Sequence, residues 1–142
     1  MEPNLNLKIE LGIEPEAYTV SFEEFGQMLD EVADELPREI FVNLNGGINL
    51  IPDVLPHPEG TAGNLFILGQ YHRGGMLGRY ITIYYGSFMR LYGRSSKEFL
   101  RQELDRVLRH EFLHHLESMA GEKELEVKDA IRLASYKRRK ES

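Results

Sequence analysis

The sequence predicts an α+β domain of 142 residues, with helices towards its two ends and short strands between them. Two Ser-x-x-Glu capping boxes each precede a stretch with the apolar spacing of a helix. Between these stretches, short apolar runs alternate with Gly and Pro, which is typical of strands and turns. No repeat or low-complexity segment divides the chain, so residues 1–142 are expected to form one domain.

The first capping box is formed by Ser21 and Glu24, and apolar residues recur every three or four positions from there to Pro37. This pattern predicts a helix over residues 22–36. Before it, four apolar residues alternate with polar ones: Leu5, Leu7, Ile9 and Leu11. The alternation is typical of a half-buried strand, while its place near the terminus equally favours fraying over residues 1–20.

Three strands are predicted in the middle of the chain, over residues 47–51, 65–72 and 79–85. A short Gly-rich segment separates the last two, which predicts a hairpin. Three prolines within residues 52–60 predict an irregular surface loop, because proline lacks the N–H that a strand needs.

The longest predicted helix follows the second capping box, Ser95 and Glu98, since no Gly or Pro interrupts the chain before Gly121. Gly121 is expected in the left-handed conformation that commonly closes a helix. Residues 127–134 then have the amphipathic spacing of a separate C-terminal helix, and residues 137–142 form a basic tail.

Composition excludes several classes of protein. The chain has no cysteine, which excludes a disulfide scaffold, a thiolate zinc finger, an iron–sulfur cluster and a cysteine nucleophile. No apolar stretch approaches the roughly 20 residues of a membrane helix, and the N-terminus lacks the basic and apolar regions of a signal peptide. A cytoplasmic protein without a membrane partner is therefore expected.

Charge is distributed unevenly along the chain. Residues 1–60 carry 13 acidic and 2 basic side chains, whereas residues 61–142 carry 10 acidic and 15 basic ones. The favoured interpretation is that the two parts attract each other within one fold. The alternative is an acidic partner for the basic part, nucleic acid included.

The chemistry-bearing motif is HEFLHH at residues 110–115, an HExxH pattern. Two histidines one helical turn apart stand about 6 Å from each other, which lets His110 and His114 bind one Zn²⁺. Glu111 lies beside them, where its carboxylate can take a proton from a metal-activated water. A peptide bond is the natural substrate of such a site. The alternative is a solvated helix face with a salt-bridging Glu.

A catalytic zinc needs a third protein ligand, and Glu117 is the best-placed local residue because it lies within roughly 60° of both histidines on the helix wheel. Nearly two turns separate it from His110, so an unbroken helix could hold it too far along the axis. In that case a chain reversal at Gly121 would have to return another carboxylate to the metal: Glu122, Glu124 or Asp129. Glu117 could instead support an imidazole or form a surface salt bridge.

The remaining histidines are not expected to bind metal. His115 lies on the helix face that carries the core leucines, so a buried imidazole hydrogen-bonded to the main chain is the favoured interpretation. His57 and His72 have no partner at a metal-binding spacing.

The strand over residues 79–85 leaves two hypotheses open. As an exposed edge beside the zinc, it would hold a peptide substrate as an added strand. As an interior strand, it would contribute aromatic core residues. Tyr84 or Tyr85 could donate a hydrogen bond to the oxyanion that forms on attack, with plain packing as the alternative.

These features together resemble the small bacterial zincin-like metallopeptidases, minimal zincins with an HExxHH core. The resemblance rests on the acidic helix, the RYITIY segment at residues 79–84 and the HEFLHH element, and covers most of residues 20–120. It implies a small twisted sheet packed against the active-site helix, with an N-terminal and a C-terminal helix. It also implies His110 and His114 as zinc ligands and Glu111 as the general base.

This sequence departs from the family pattern after His115. Members often continue as HExxHHxGxxD, in which the aspartate is the third ligand. Here Glu117 stands at the glycine position and Ala120 at the aspartate position. The aspartate ligand therefore has no counterpart, and Glu117 is its provisional substitute.

The sequence thus predicts a peptidase with Zn²⁺ as cofactor and a peptide or protein as substrate. A non-catalytic metal-binding interaction module of zincin fold is the alternative. A metal-dependent nuclease or RNA-binding activity would draw on the basic residues 137–140, but a solvated helix end is the favoured interpretation of that tail. Nothing in the sequence predicts an oligomeric state.

Overall fold

The computed structural model describes residues 18–60 and 65–141, with side chains except those of 124–126 and 133–141. The fold is α+β, with a three-stranded mixed sheet and helices. The alternation at residues 5–11 lies outside the described residues. Within the described ranges, no helix is both long enough and apolar enough to cross a membrane.

Helix α1 spans Phe22–Asp34 and begins as predicted. The Ser21 hydroxyl accepts a hydrogen bond from the Glu24 main chain at 3.1 Å, and the Glu24 carboxylate accepts one from the Ser21 N–H at 3.2 Å. This reciprocal pair satisfies N–H groups that the first helical turn would leave unpaired. The helix ends two residues before the predicted limit, and Leu36 is still buried beyond that end.

The sheet consists of β1 (Gly47–Ile51), β2 (Gly69–His72) and β3 (Tyr80–Tyr84), in the order β1-β3-β2. β1 matches its predicted bounds, whereas β2 and β3 are shorter than predicted. β3 pairs in parallel with β1 and antiparallel with β2, which confirms the hairpin. Because β3 is central, the hypothesis that residues 79–85 form an exposed edge is wrong, and the interior-strand alternative is correct.

Two short helices were not predicted. A 3₁₀ helix spans Arg38–Phe41, and α2 spans Tyr85–Tyr92 directly after β3. Tyr85 therefore begins a helix and does not end a strand. Residues 52–60 are irregular, as predicted, apart from one bridge between Pro56 and Phe66.

Helix α3 spans Lys97–Glu141 and corrects two predictions. Its first turn is capped by Ser96, whose hydroxyl accepts from the Phe99 N–H at 3.1 Å, and not by Ser95. The helix also continues through Gly121, so the predictions that Gly121 closes it and that a separate C-terminal helix follows are wrong. A glycine inside a helix costs only about 1 kcal/mol relative to alanine, which good helix formers on both sides can offset.

The core lies where α1 and α3 meet each other and α3 meets the sheet. α3 contributes its apolar stripe and β3 contributes Ile81 and Ile83, both fully buried. The fully buried apolar residues of α3 are Leu100, Leu104 and Leu108, with Phe112 close behind. This packing places the motif at residues 110–115 against β2.

Gly69 allows β2 to approach α3 closely. A Cβ atom at this position would lie 2.9 Å from Val107 Cγ1 and 3.1 Å from Ile83 Cδ1. We therefore expect Gly69→Ala to lower the free energy of unfolding by about 1–3 kcal/mol, measured by urea titration.

Gly26→Ala is the matched control for that substitution. A Cβ there meets Leu50 Cδ2 at an ordinary 3.6 Å, inside helix α1. It should raise stability by about 0.5–1 kcal/mol, since alanine is the better helix former. Wild-type stability in Gly69→Ala would show that β2 can yield without cost.

Candidate metal and catalytic site

His110 and His114 face each other on α3. Their Nε2 atoms are 3.1 Å apart, and the rings are nearly perpendicular with centroids separated by 4.7 Å. Two zinc–nitrogen bonds of about 2.05 Å at the tetrahedral angle span about 3.3 Å between the nitrogens. The pair therefore fits two ligands of one zinc ion. The one-turn spacing on a rigid helix produces this approach, as the sequence predicts.

Glu111 lies next to this pair and is buried, with 7% of its surface exposed. Burial raises the pKa of its carboxyl, and the nearby His110, His114 and Tyr71 main chain offset part of that rise. Glu111 thus lies between the core and a surface cavity.

Glu117 lies on the opposite side of His114 from His110. Its carboxylate is 3.7 Å from Nδ1, whereas Nε2 is the nitrogen that faces the other imidazole. From this position Glu117 can fix the orientation of the His114 ring through Nδ1, which leaves Nε2 free for a metal. Ligation by Glu117 would require its side chain to turn towards Nε2, so the assignment as third ligand stays a prediction.

The three alternative ligand residues lie farther along α3. Glu122 forms an ion pair with Arg79, and Glu124 and Asp129 lie ten and fifteen residues beyond His114 on the same unbroken helix, about 15 and 22 Å along its axis. Within residues 18–60 and 65–141, no three His, Cys, Asp or Glu side chains among those described converge as a metal site.

A cavity of ≈ 560 Å³ opens beside the motif. Helix α3 forms one wall and the end of β2 forms the other. The lining residues are Gly69, Gln70, Tyr71, Arg73, Glu111, His114, Glu117 and Ser118. Four of these, Gly69, Gln70, Tyr71 and Arg73, were missed by sequence reasoning, because no motif marks them and only the hairpin brings them to the helix.

The wall formed by β2 is a free strand edge. The Tyr84 N–H donates to the Leu68 carbonyl at 3.0 Å, and the antiparallel register continues with Gly69 opposite Ile83. Because hydrogen-bonded and non-bonded pairs alternate, the main-chain groups of Gly69 and Tyr71 point away from β3. Among the described residues, no strand pairs with this side of β2.

His115 is fully buried and hydrogen-bonded, as predicted. Its Nε2 lies 2.8 Å from the Val42 carbonyl oxygen, and its Nδ1 lies 2.9 Å from the Tyr71 hydroxyl. Because both ring nitrogens are used and the ring is enclosed, this histidine is not available to a metal beside His114.

The two tyrosines considered as oxyanion donors are engaged elsewhere. The Tyr84 hydroxyl donates to Gln70 Oε1 at 2.7 Å, and the Tyr85 hydroxyl donates to the Val20 carbonyl at 2.8 Å. Neither residue lines the cavity. The oxyanion hypothesis for them is therefore wrong, because β3 is central and α2 turns Tyr85 away.

The other histidines occupy structural positions. His57 Nδ1 accepts a hydrogen bond from the Glu59 N–H at 3.0 Å, and His72 stacks on Tyr80 with ring centroids 4.4 Å apart. Both interactions are local to a loop and a hairpin.

Ion pairs join the acidic and basic parts of the chain. Arg101 on α3 contacts Glu31 on α1 at 2.5 Å and Glu35, the residue that follows α1, at 2.7 Å, and Lys97 lies 3.5 Å from Glu24. Part of the charge asymmetry is therefore explained by ion pairs between the acidic and the basic part of the chain.

Comparison with known proteins gives a relative of known structure. No protein-family model matches the sequence, and no curated protein matches it. The solved structure of a conserved hypothetical protein from Thermus thermophilus is similar, with a TM-score of 0.63 and 30% sequence identity. The match covers 72% of this chain and 99% of that one. At this identity and coverage, the chain belongs to the family of the Thermus thermophilus protein.

Proposed function

We propose that the protein is a zinc-dependent peptidase of the minimal zincin type, like the small bacterial zincin-like metallopeptidases that its HExxHH motif resembles. The observation that carries this proposal is the 3.1 Å separation of His110 Nε2 and His114 Nε2 beside the buried carboxylate of Glu111. This combination supplies two metal ligands and a base on one rigid helix.

Each residue has a distinct task in this mechanism. Bound between His110 and His114, a zinc ion would supply a Lewis acid that activates water and polarises a peptide carbonyl. The Glu111 carboxylate accepts the proton of the attacking water and delivers it to the leaving nitrogen. Glu117 orients the imidazole of His114 from its Nδ1 side, or turns to complete the ligand set.

The free edge of β2 suits an extended peptide. The outward main-chain groups of Gly69 and the carbonyl of Tyr71 can pair with a substrate main chain laid along the cavity. The sequence suggested residues 79–85 as the strand that pairs with a substrate; we propose β2, the strand next to them, in their place. A substrate bound there would pass directly in front of Glu111.

A metal-binding interaction module without turnover is the second candidate. The observation that favours it is that the described residues bring no third carboxylate or imidazole to the Nε2 pair. This candidate predicts that zinc binds in a stoichiometric amount while no peptide in a broad library is cleaved.

The first test is the zinc content of the purified protein by mass spectrometry. We expect one zinc per chain in the wild type and none in His114→Ala, because a single imidazole holds the ion weakly. His57→Ala is the matched control, since His57 lies in a surface loop and its side chain accepts a hydrogen bond from the Glu59 N–H in that loop. A wild type that stays empty in excess zinc would contradict both candidates.

A further inference from the structure

Tyr71 contacts helix α3 at two residues that stand one turn apart. Its hydroxyl lies 2.9 Å from His115 Nδ1, and its main-chain N–H points away from β3 on the side of the cavity that Glu111 also lines. Glu111 and His115 are four residues apart and therefore lie on the same face of α3. The main chain and the side chain of Tyr71 both lie against that face. The metal ligands His110 and His114 take no part in these contacts.

The hydrogen bonds around His115 have a defined direction. The Val42 carbonyl can only accept, so His115 Nε2 carries the proton and Nδ1 is the acceptor. The Tyr71 hydroxyl therefore donates to Nδ1.

This arrangement has a geometric consequence for the site. β2 has a neighbouring strand on one side only, among the residues that the structure describes, so its position against α3 depends on contacts with the helix. The hydroxyl of Tyr71 supplies such a contact in the buried region, where His115 is fully enclosed. A shift of β2 along or away from α3 would carry the Tyr71 N–H away from the Glu111 carboxylate.

We propose that His115 is a positioning residue, which holds Tyr71 so that the Tyr71 N–H keeps the Glu111 carboxylate directed at the cavity. Its kinetic consequence, a lower kcat, rests on the proposed peptidase function. Its structural consequence, the position of Tyr71 against α3, rests on the fold alone. It explains why a second histidine directly after His114 serves the site without binding metal.

The structural test is amide hydrogen exchange at residue 71, measured by NMR on the full chain without metal. Tyr71→Phe removes only the hydroxyl, and the two residues have similar intrinsic exchange rates. We expect protection at residue 71 to fall about three- to tenfold, the equivalent of one lost hydrogen bond. Glu111→Ala should lower it by a similar factor.

Tyr85→Phe is the matched control, because it removes a hydrogen-bonded hydroxyl whose acceptor, the Val20 carbonyl, belongs to neither β2 nor α3. Its protection at residue 71 should equal that of the wild type. Unchanged protection in either Tyr71→Phe or Glu111→Ala would overturn the proposal. Because Tyr71→Phe keeps the ring, it should fold even where a His115 substitution in the core does not.

The kinetic test uses peptide hydrolysis by the zinc-loaded protein. Tyr71→Phe should lower kcat about 10- to 100-fold, with KM and zinc affinity close to the wild-type values. A loss of kcat with unchanged protection at residue 71 would also overturn the proposal. If protection falls as expected while even the wild type cleaves no peptide, the positioning role stands and the peptidase function fails.

Discussion

Glu111→Gln is expected to lower kcat for peptide hydrolysis about 10²- to 10⁴-fold while zinc content stays at the wild-type value. The amide keeps the size of the side chain but cannot accept a proton from water. Glu111 is the buried carboxylate next to the two imidazoles, so the substitution removes the base from that position. The measurement is hydrolysis of a peptide library with zinc content determined in parallel.

Glu98→Gln is the control for that experiment. Glu98 lies in the first turn of α3, three turns before the motif, so this change should alter neither zinc binding nor hydrolysis. The peptidase proposal is refuted if Glu111→Gln cleaves peptides as fast as the wild type. Equal absence of cleavage in the wild type and Glu111→Gln, with zinc bound in both, would favour the interaction module.

Phe25→Ala is expected to destabilise the fold by about 3–5 kcal/mol, the usual cost of removing a buried aromatic side chain. Phe25 is fully buried on α1, with its ring centroid 5.0 Å from that of Phe88 and 5.6 Å from that of Tyr85. The substitution would leave a void between α1 and α2, where the ring of Phe25 packs against both aromatic rings. Urea unfolding measures the loss.

Phe22→Ala provides the matched comparison on the same helix. Phe22 also meets the Tyr85 ring, at 5.4 Å, but 38% of its surface is exposed. Its loss should cost about 0.5–1.5 kcal/mol, the range for an aromatic pair outside a closed core. Equal costs for the two substitutions would show that the interior side of α1 is not tightly packed.

Local sequence signals predicted the parts of the fold that depend on neighbouring residues. The capping box at Ser21 and the apolar spacing behind it set the start of α1, because both act within one or two helical turns. The HExxH spacing predicted the approach of His110 to His114 for the same reason. The buried state of His115 followed from the apolar face on which it lies.

Sequence-based predictions failed where the preference of one residue was outweighed by its neighbours in the helix or by tertiary contacts. Gly121 favours a helix end, yet α3 continues through it because the residues on both sides are strong helix formers. Tyr85 favours a strand, yet the chain turns into α2 at that residue. Ser95 with Glu98 matches the capping-box pattern, yet it is the Ser96 hydroxyl that accepts from the Phe99 N–H.

The sequence by itself determined the pair of imidazoles, the adjacent carboxylate and the helix that carries them, because a helix places residues one turn apart on the same face. Only the tertiary structure decided that β3 is central and that β2 presents its edge to the motif. It also decided that Tyr71 meets Glu111 and His115, and that Glu117 faces Nδ1 of His114. These contacts join residues distant in sequence or depend on side-chain orientation, so no spacing along the chain encodes them.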